Sequence, residues 1–592
     1  MQRLSHYIVK SAVMRIISFL PFSSSLFFTR CSFLALIMMS SSFVMSSTNN
    51  HNEPPTGGGG PEISSWCNTT PHPDPCNDYF MAHRSPDTSV PKDRSGFRQI
   101  MVQATLNQAL QSHAQVRKLG SQCDNSRKKG LWSDCSKLYE DTVLQLNRTL
   151  EGLYGGDGKR INCSSSDAQT WLSTALTNIE MCRLGFQDLN IPDFISPTSS
   201  RNNLSQLISN TLAINGAMVT SSSRNPEDHE FTRWEKSAST QSSSSGSRSS
   251  DDDGFPSWFS VHDKKLLQTT SSGATKANLV VAKDGSGNYR TVQAAINVAA
   301  KRISKSQRFV IYVKRGVYRE NIEVSIGNDN IMMVGDGMAY SVITGSRSVG
   351  GGYTTYSSAT AGIDGLKFIA RGITFRNTAG AQKGQAVALR SASDLSVFYQ
   401  CSFQGYQDTL FVLSQRQFYK QCHIYGTIDF IFGNAAVVFQ SCTIYARLPI
   451  HGQSNVITAQ GRNDPYQNTG ISFHSCRILA APDLSPSIST VKTYLGRPWM
   501  PYSRTVYLKS YLGALVAPQG WSTWDGSNYA LNTLYYGEYR NYGPGASTQS
   551  RVKWKGYRVM TSATEASRFS VGTFIAGNSW LPATSIPFTA GL

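Results

Sequence analysis

Short runs rich in β-branched and aromatic residues recur along the second half of the chain. Ser396-Val397-Phe398-Tyr399-Gln400-Cys401-Ser402-Phe403 is echoed by Gln417-Phe418-Tyr419-Lys420-Gln421-Cys422-His423-Ile424. Val437-Val438-Phe439-Gln440-Ser441-Cys442-Thr443-Ile444 and Ile471-Ser472-Phe473-His474-Ser475-Cys476-Arg477-Ile478 follow, and a weaker copy spans Ile369 to Asn377. The cysteines Cys401, Cys422, Cys442 and Cys476 mark the period, with steps of 21, 20 and 34 residues. One such unit cannot bury its apolar side alone. Stacked coils pair every backbone group with a neighbour about 4.8 Å away. The pattern predicts a right-handed parallel β-helix, with an insertion at a corner in the 34-residue step, and it assigns Phe398, Phe418, Phe439 and Phe473 to the core.

The first half carries a different period. Cys135, Leu138, Tyr139, Thr142, Leu146 and Leu150 recur at three- and four-residue steps, predicting a helix over Asp134–Leu150. Asp167 reads as the N-cap of a second helix, and Phe97–Leu119 and Leu204–Val219 read as two more. Together they make an all-α four-helix bundle over residues 60–220. Residues 221–267 are a low-complexity, Ser-rich and acidic linker, too polar to fold alone. The β-helix then occupies 276–592.

At the N-terminus, Arg3, Lys10, Arg15 and Arg30 precede an apolar run from Cys31 to Met45. That run suits a secretory signal within residues 1–47, with an uncleaved signal anchor as the alternative and no stable membrane anchor expected. Sequons at Asn68, Asn147, Asn162 and Asn203 favour a glycosylated first half. Eleven cysteines suit an oxidising compartment, and no Cys-x-x-Cys pair supplies a zinc ribbon or redox motif. Cys67 and Cys76 flank a Pro-rich turn short enough for a disulfide. Cys135 and Cys182 lie on helices that a bridge would join, and Cys123 and Cys163 are left over. The four solenoid cysteines form either two bridges or a ladder of buried thiols.

The net charge of +18 is unevenly spread: residues 276–592 hold 31 Lys and Arg against 14 Asp and Glu. A polyanionic partner follows, whether nucleic acid, acidic polysaccharide or an anionic surface. The same half concentrates a set of polar residues in short motifs. Gln385 stands in Gly384-Gln385-Ala386-Val387-Ala388-Leu389, Gln407 and Asp408 in Gly405-Tyr406-Gln407-Asp408-Thr409-Leu410, Asp429 in Asp429-Phe430-Ile431-Phe432-Gly433, and Arg497 in Leu495-Gly496-Arg497-Pro498-Trp499. Asp408 and Asp429 lie 21 residues apart and Gln385 and Gln407 lie 22 apart, so a solenoid stacks them on neighbouring coils. No Gly-x-Ser-x-Gly elbow is present, which disfavours a serine esterase. His423, His451 and His474 read as structural. Each polar residue also has a bland reading: an Asp beside an Arg is often a structural ion pair, and Gln ladders often satisfy strand edges.

From Val280-Val281-Ala282-Lys283-Asp284-Gly285-Ser286-Gly287 to Asn578-Ser579-Trp580-Leu581-Pro582-Ala583-Thr584 the second half resembles plant pectin methylesterases. Gly316-Val317-Tyr318-Arg319-Glu320 and Tyr425-Gly426-Thr427-Ile428-Asp429-Phe430-Ile431-Phe432-Gly433 match two family signatures. The first half resembles the pectin methylesterase inhibitor domain through Cys67–Cys76, Asp134-Cys135-Ser136-Lys137-Leu138-Tyr139 and Asp167–Cys182. The combination is similar to type I precursors, in which an inhibitor-like pro-region precedes the enzyme.

The resemblance implies hydrolysis of the C6 methyl esters of homogalacturonan in the cell wall by a secreted enzyme, with no metal or organic cofactor and no nucleic-acid partner. It implies Asp429 as nucleophile and Asp408 as general acid and then base. Gln385 and Gln407 would be oxyanion donors, Arg497 the group that orients Asp429, and Trp499, Trp521 and Tyr356 the platforms for sugar rings. Two carboxyls one coil apart disfavour double ionisation, so one is held protonated. Further implied partners are the chain's own pro-region and a processing protease at Lys264-Lys265-Leu266-Leu267, a site without the arginines usual in the family. Met500 and Pro501 also depart from the charged pair usual there. The rival readings are a β-helix hydrolase or lyase of polygalacturonate, or a non-catalytic pectin-binding protein with a helical inhibitor domain.

Overall fold

Each repeated run folds into two strands joined by two residues, the first of them in the left-handed conformation. Gln400, Gln421, Ser441 and Ser475 hold these corners at φ of 52°, 52°, 54° and 52°. In the computed structural model, which describes residues 63–82, 91–154, 163–195, 204–221 and 277–592, this device builds a three-sided stack. The signal segment, the sequons at Asn162 and Asn203, and residues 222–267 of the linker with its processing site lie outside the described residues. The strands form three parallel sheets of 11, 8 and 7 strands, here the first, second and third. Every coil visits them in that order: Arg416–Lys420, His423–Gly426 and Ile431–Gly433 make up one turn. This is the right-handed parallel β-helix expected from the period. The long step between Cys442 and Cys476 is taken up between Ala446 and Asn455 and between Gln460 and Gly470.

Register explains the core. Phe398 pairs with Tyr419, Tyr419 with Phe439, Phe439 with Phe473 and Phe473 with Tyr507. Their rings stack inside the solenoid at centroid spacings of 4.5 to 5.0 Å. Phe418 is core as expected, but in a second, outer layer rather than in the ring stack. It pairs with Val397 and Val438 and so points outward, where all three are buried under a C-terminal segment that includes Val571, Ile575 and Leu581. Of the two arrangements open for the solenoid cysteines, the chain adopts the thiol ladder. Cys422, Cys442 and Cys476 are buried, and their Sγ atoms donate to the carbonyls of Phe398, Tyr419 and Phe439 at 3.2, 3.4 and 3.3 Å.

At the far end, Glu538 and Arg551 form an ion pair with side chains 2% and 1% exposed. Trp521 Nε1 and the Tyr557 hydroxyl also donate to the Glu538 carboxylate, at 3.3 and 3.1 Å. Removing one member leaves the other charged and desolvated. Glu538→Ala is therefore expected to destabilise the fold by about 3–5 kcal/mol in denaturant unfolding, and an unchanged midpoint would contradict this account of the pair.

The four expected helices run over Arg94–Lys118, Ser126–Tyr154, Ser165–Leu189 and Leu204–Ser221. Disulfides join Cys67 to Cys76 and Cys135 to Cys182, with Cα separations of 5.5 and 4.8 Å. Asp167 is not the N-cap it resembled. Ser164 caps the helix, its Oγ accepting from the Asp167 N–H at 3.1 Å while Asp167 Oδ2 accepts from the Ser164 N–H at 2.9 Å, a reciprocal capping box. One apolar cluster runs continuously from Leu138, Leu172 and Leu176 of the helices to Phe411, Leu413 and Phe432 on the outer face of the third sheet. Polar bonds frame it: Arg416 Nη1 to Asp167 at 2.6 Å, Asn434 Nδ2 to Thr177 Oγ1 at 2.8 Å, and Ser209 Oγ to Asp464 at 2.6 Å. Among the described residues, no helix is long and apolar enough to cross a membrane.

Candidate active site

Asp408 and Asp429 occupy the same place on successive coils, at the entry to the third sheet. Leu410 pairs with Ile431 two residues further on, so the two aspartates stand side by side about one strand spacing apart, roughly 4.8 Å. Both adopt left-handed φ, 60° and 50°. Asp is among the few residue types that tolerate this conformation at modest cost. The glycine that ends the second motif has a similar backbone reason. Gly433 has φ of 125°, and a Cβ there would meet Val412 O at 2.1 Å. Chain termini of the strands thus hold the carboxyls against the solenoid, 8% and 5% exposed.

Arg497 distinguishes the two acids. From the strand Thr493–Pro498 its Nε donates to Asp429 Oδ1 at 2.8 Å and its Nη2 to Oδ2, a bidentate pair. Its Nη1 donates to the Trp524 carbonyl at 3.3 Å, and the guanidinium lies 4.4 Å from the Trp524 ring centroid. Asp408 has no such partner among the described residues. Burial, then the charge of Asp429, then that of Asp188 push its carboxyl well above the usual carboxylate range, with Arg497 opposing them. The arrangement therefore sets an arginine-bound, oriented Asp429 beside an Asp408 whose surroundings favour its protonated form.

Gln407 immediately precedes Asp408, and Gln385 lies on the coil before it. The Gln407 carbonyl accepts from the Ala386 N–H at 3.2 Å and the Gln385 carbonyl from the Val349 N–H at 2.9 Å, which pins both backbones. Both side chains are half-buried, and neither amide hydrogen-bonds another described residue. Tyr356 stacks on Arg390, whose guanidinium is 3.7 Å from the ring centroid, and Trp499 meets Phe432 edge-on at 5.8 Å. Trp521 is placed differently from its expected role as a sugar platform. It is 1% exposed in the solenoid interior, stacked on Tyr536 at 4.1 Å, and offers no ring face to a ligand. Trp524, three residues on, is half-buried beside Arg497 instead.

Helical residues reach this same place. The Thr355 N–H donates to Asp188 at 2.8 Å, and Thr354 Oγ1 donates to Asp134 at 2.5 Å. Tyr356, Trp499 and Trp524 all pack against the apolar cluster shared with the helices.

Residues 278–578 match the Pectinesterase family profile, and residues 61–214 match that of the plant invertase/pectin methylesterase inhibitor family. The chain is 56% identical over 530 residues to a probable pectinesterase/pectinesterase inhibitor 59 of Arabidopsis thaliana, covering 89% of this chain and 94% of that one. It is 52% identical over 531 residues to pectinesterase 2 of Citrus sinensis, covering 90% and 95%. Among solved structures, a pectin methylesterase from carrot aligns with a TM-score of 0.53 and 56% identity, over 54% of this chain and 99% of its own. The chain therefore belongs to the pectinesterase family and carries, ahead of that domain, a segment of the plant invertase/pectin methylesterase inhibitor family.

Proposed function

We propose that this chain hydrolyses the C6 methyl esters of homogalacturonan to methanol and free carboxylates, in the cell wall after secretion. The observation that carries this reading is the pairing of Arg497-bound Asp429 with the proton-retaining Asp408. Asp429 attacks the ester carbonyl, and the amides of Gln385 and Gln407 donate to the oxyanion that develops. As the C–O bond to the methoxy group breaks, Asp408 gives that oxygen its proton and methanol leaves. The resulting Asp408 carboxylate takes a proton from water, whose oxygen attacks the acyl carbon and frees Asp429. Asp408 is thereby reprotonated, and the product carboxylic acid releases its proton to solvent. Neutral amides suit the oxyanion because a cation at that place would also neutralise the nucleophile. Tyr356 and Trp499 are proposed as contacts for the sugar rings. Trp524 takes the part first expected of Trp521.

The helical segment is proposed to be a pro-region that covers its own chain's site until the linker is cut near Lys264-Lys265-Leu266-Leu267. The contacts of Asp188 and Asp134 with Thr355 and Thr354 support this.

Methanol release from highly methylated pectin, followed together with polymer length, tests the reading. Methanol with unchanged length is the expected outcome, and shortening without methanol would indicate a depolymerase. Gln407→Ala is expected to slow methanol release by about 10²–10³. Normal turnover in that variant would remove Gln407 from the oxyanion site.

A further inference from the structure

The three outer faces of the solenoid are not equivalent. A C-terminal segment including Val571, Ile575 and Leu581 covers the first sheet, and the helices share an apolar cluster with the third. Among the described residues the second sheet carries no such cover, and its outward columns set arginines and tyrosines among small polar residues, with Val317, Val342 and Leu479 the apolar exceptions. We propose that this bare face binds de-esterified galacturonate chains, the product of the reaction assigned above. The identity of the bound polymer rests on that assignment, whereas the surface itself does not.

Strand register makes the face a column with a period of about 4.8 Å, comparable with the length of one pyranose unit. Arg319 pairs with Thr344, Thr344 with Arg376, Arg376 with Gln404, Gln404 with Tyr425 and Tyr425 with Tyr445. Their neighbours in sequence, such as Ile343, Phe375, Phe403, Ile424 and Ile444, are fully buried, so the pleat turns this column outward. A second outward column, two residues earlier on each strand, ends in Arg477 paired with Tyr511. The column runs beside the catalytic pair: Gln404 precedes Asp408 by four residues, and Tyr425 precedes Asp429 by four.

The chemistry on this face fits a polyuronate. Arg319 and Arg477 are exposed and Arg376 is half-buried, and none of the three forms an ion pair with a described residue. Guanidinium groups pair bidentately with carboxylates, which a de-esterified chain presents at every sugar. Tyr425 and Tyr445 are half-buried and stacked at 4.5 Å with 7° between their planes. Neither hydroxyl bonds to a described residue, so both can donate to carboxylate or sugar oxygens. The acids bordering the face are already engaged, Asp336 by the Arg315 N–H at 2.6 Å and Asp483 by Arg447 Nε at 3.2 Å. A methylated chain lacks the anions that would occupy the arginines, so the face discriminates product from substrate.

The test is affinity electrophoresis of the full chain in polygalacturonate, fully methylated pectin and polyglutamate. Two variants accompany the parent: Arg319→Gln/Arg376→Gln/Arg477→Gln, and Tyr425→Phe/Tyr445→Phe, which keeps the ring stack. Thermal melting confirms that each is folded. The parent is expected to bind polygalacturonate tightest, with the arginine variant about tenfold weaker and the tyrosine variant about fivefold weaker. Parent-like binding in both variants overturns the proposal. So does equal affinity of the parent for polyglutamate and polygalacturonate, which would reduce the face to a general anion surface. Methanol release is read separately: column-dependent binding without methanol would support the surface while overturning the esterase reading.

Discussion

Asp429→Asn is expected to lower methanol release by about 10⁴- to 10⁶-fold while leaving pectin binding and the fold unchanged. The amide keeps the size of the carboxyl, and Asn adopts the left-handed conformation that position 429 requires at φ of 50°. Its carbonyl oxygen still accepts from Arg497, so the guanidinium keeps a partner. Only the nucleophilic charge is lost. Asp408→Asn is the companion, because it removes the proton donor while leaving the nucleophile and its arginine. Its cost is expected to be smaller, about 10²–10⁴. The two variants should differ in kind as well as size. In the proposed mechanism acylation needs protonated Asp408, so the parent's rate should fall as pH rises through that group's elevated pKa. The Asp408→Asn variant has no such limb. Rate profiles on methylated oligogalacturonates read both effects. Equal activity of Asp429→Asn and parent would rule out covalent catalysis at this residue.

Gln268–Leu592 is expected to release methanol about 10²-fold faster than the full chain. The carrot enzyme aligns over 99% of its own length with only 54% of this chain, which shows that a chain of about this extent folds in that relative. In the full chain, Asp188 stands near Asp408 and bonds the loop beside Tyr356, and the aromatic residues proposed for sugar contact lie against the apolar cluster. Substrate must displace these contacts. Burial pushes Asp134 up to about 6, against the bonds from Thr354 and Ser357 and the nearby Arg390 and Lys137. A carboxyl raised in the docked state binds its proton more tightly there than when released. Docking is therefore favoured below its unperturbed pKa and weakens as pH rises through about 6. The activity ratio of the two chains should shrink over that range. A ratio near one at every pH would mean that the helices do not block the site.

The solenoid was legible because its register repeats in the sequence: a cysteine marks the corner in four successive coils, and 21 residues separate the two aspartates that the structure sets side by side. The helices were legible from their three- and four-residue steps. Residue type, however, does not disclose which side of a strand faces inward. Phe418 is core, as its type suggests, yet a one-residue offset puts Tyr419 in the ring stack and Phe418 in the layer under the C-terminal segment. Trp521 and Trp524 differ by three positions on an irregular stretch, where no period says which one turns inward. The capping box at Ser164 was hidden for a related reason: Asp167 is both a good cap and a good third residue after one.

Because Asp408 and Asp429 sit at equivalent points of successive coils, the gap between them is set by backbone hydrogen bonding rather than by side-chain packing. It works as a gauge block whose thickness is the spacing of paired strands. Core substitutions soften or stiffen the stack without resetting that thickness, and an insertion shifts chemistry only if it adds a whole coil. Length variation is diverted to the corners, such as the stretch between Ala446 and Asn455, where a loop can grow without moving the two acids apart. Specificity and regulation can therefore diversify in this architecture while the reacting distance stays fixed by the peptide unit itself.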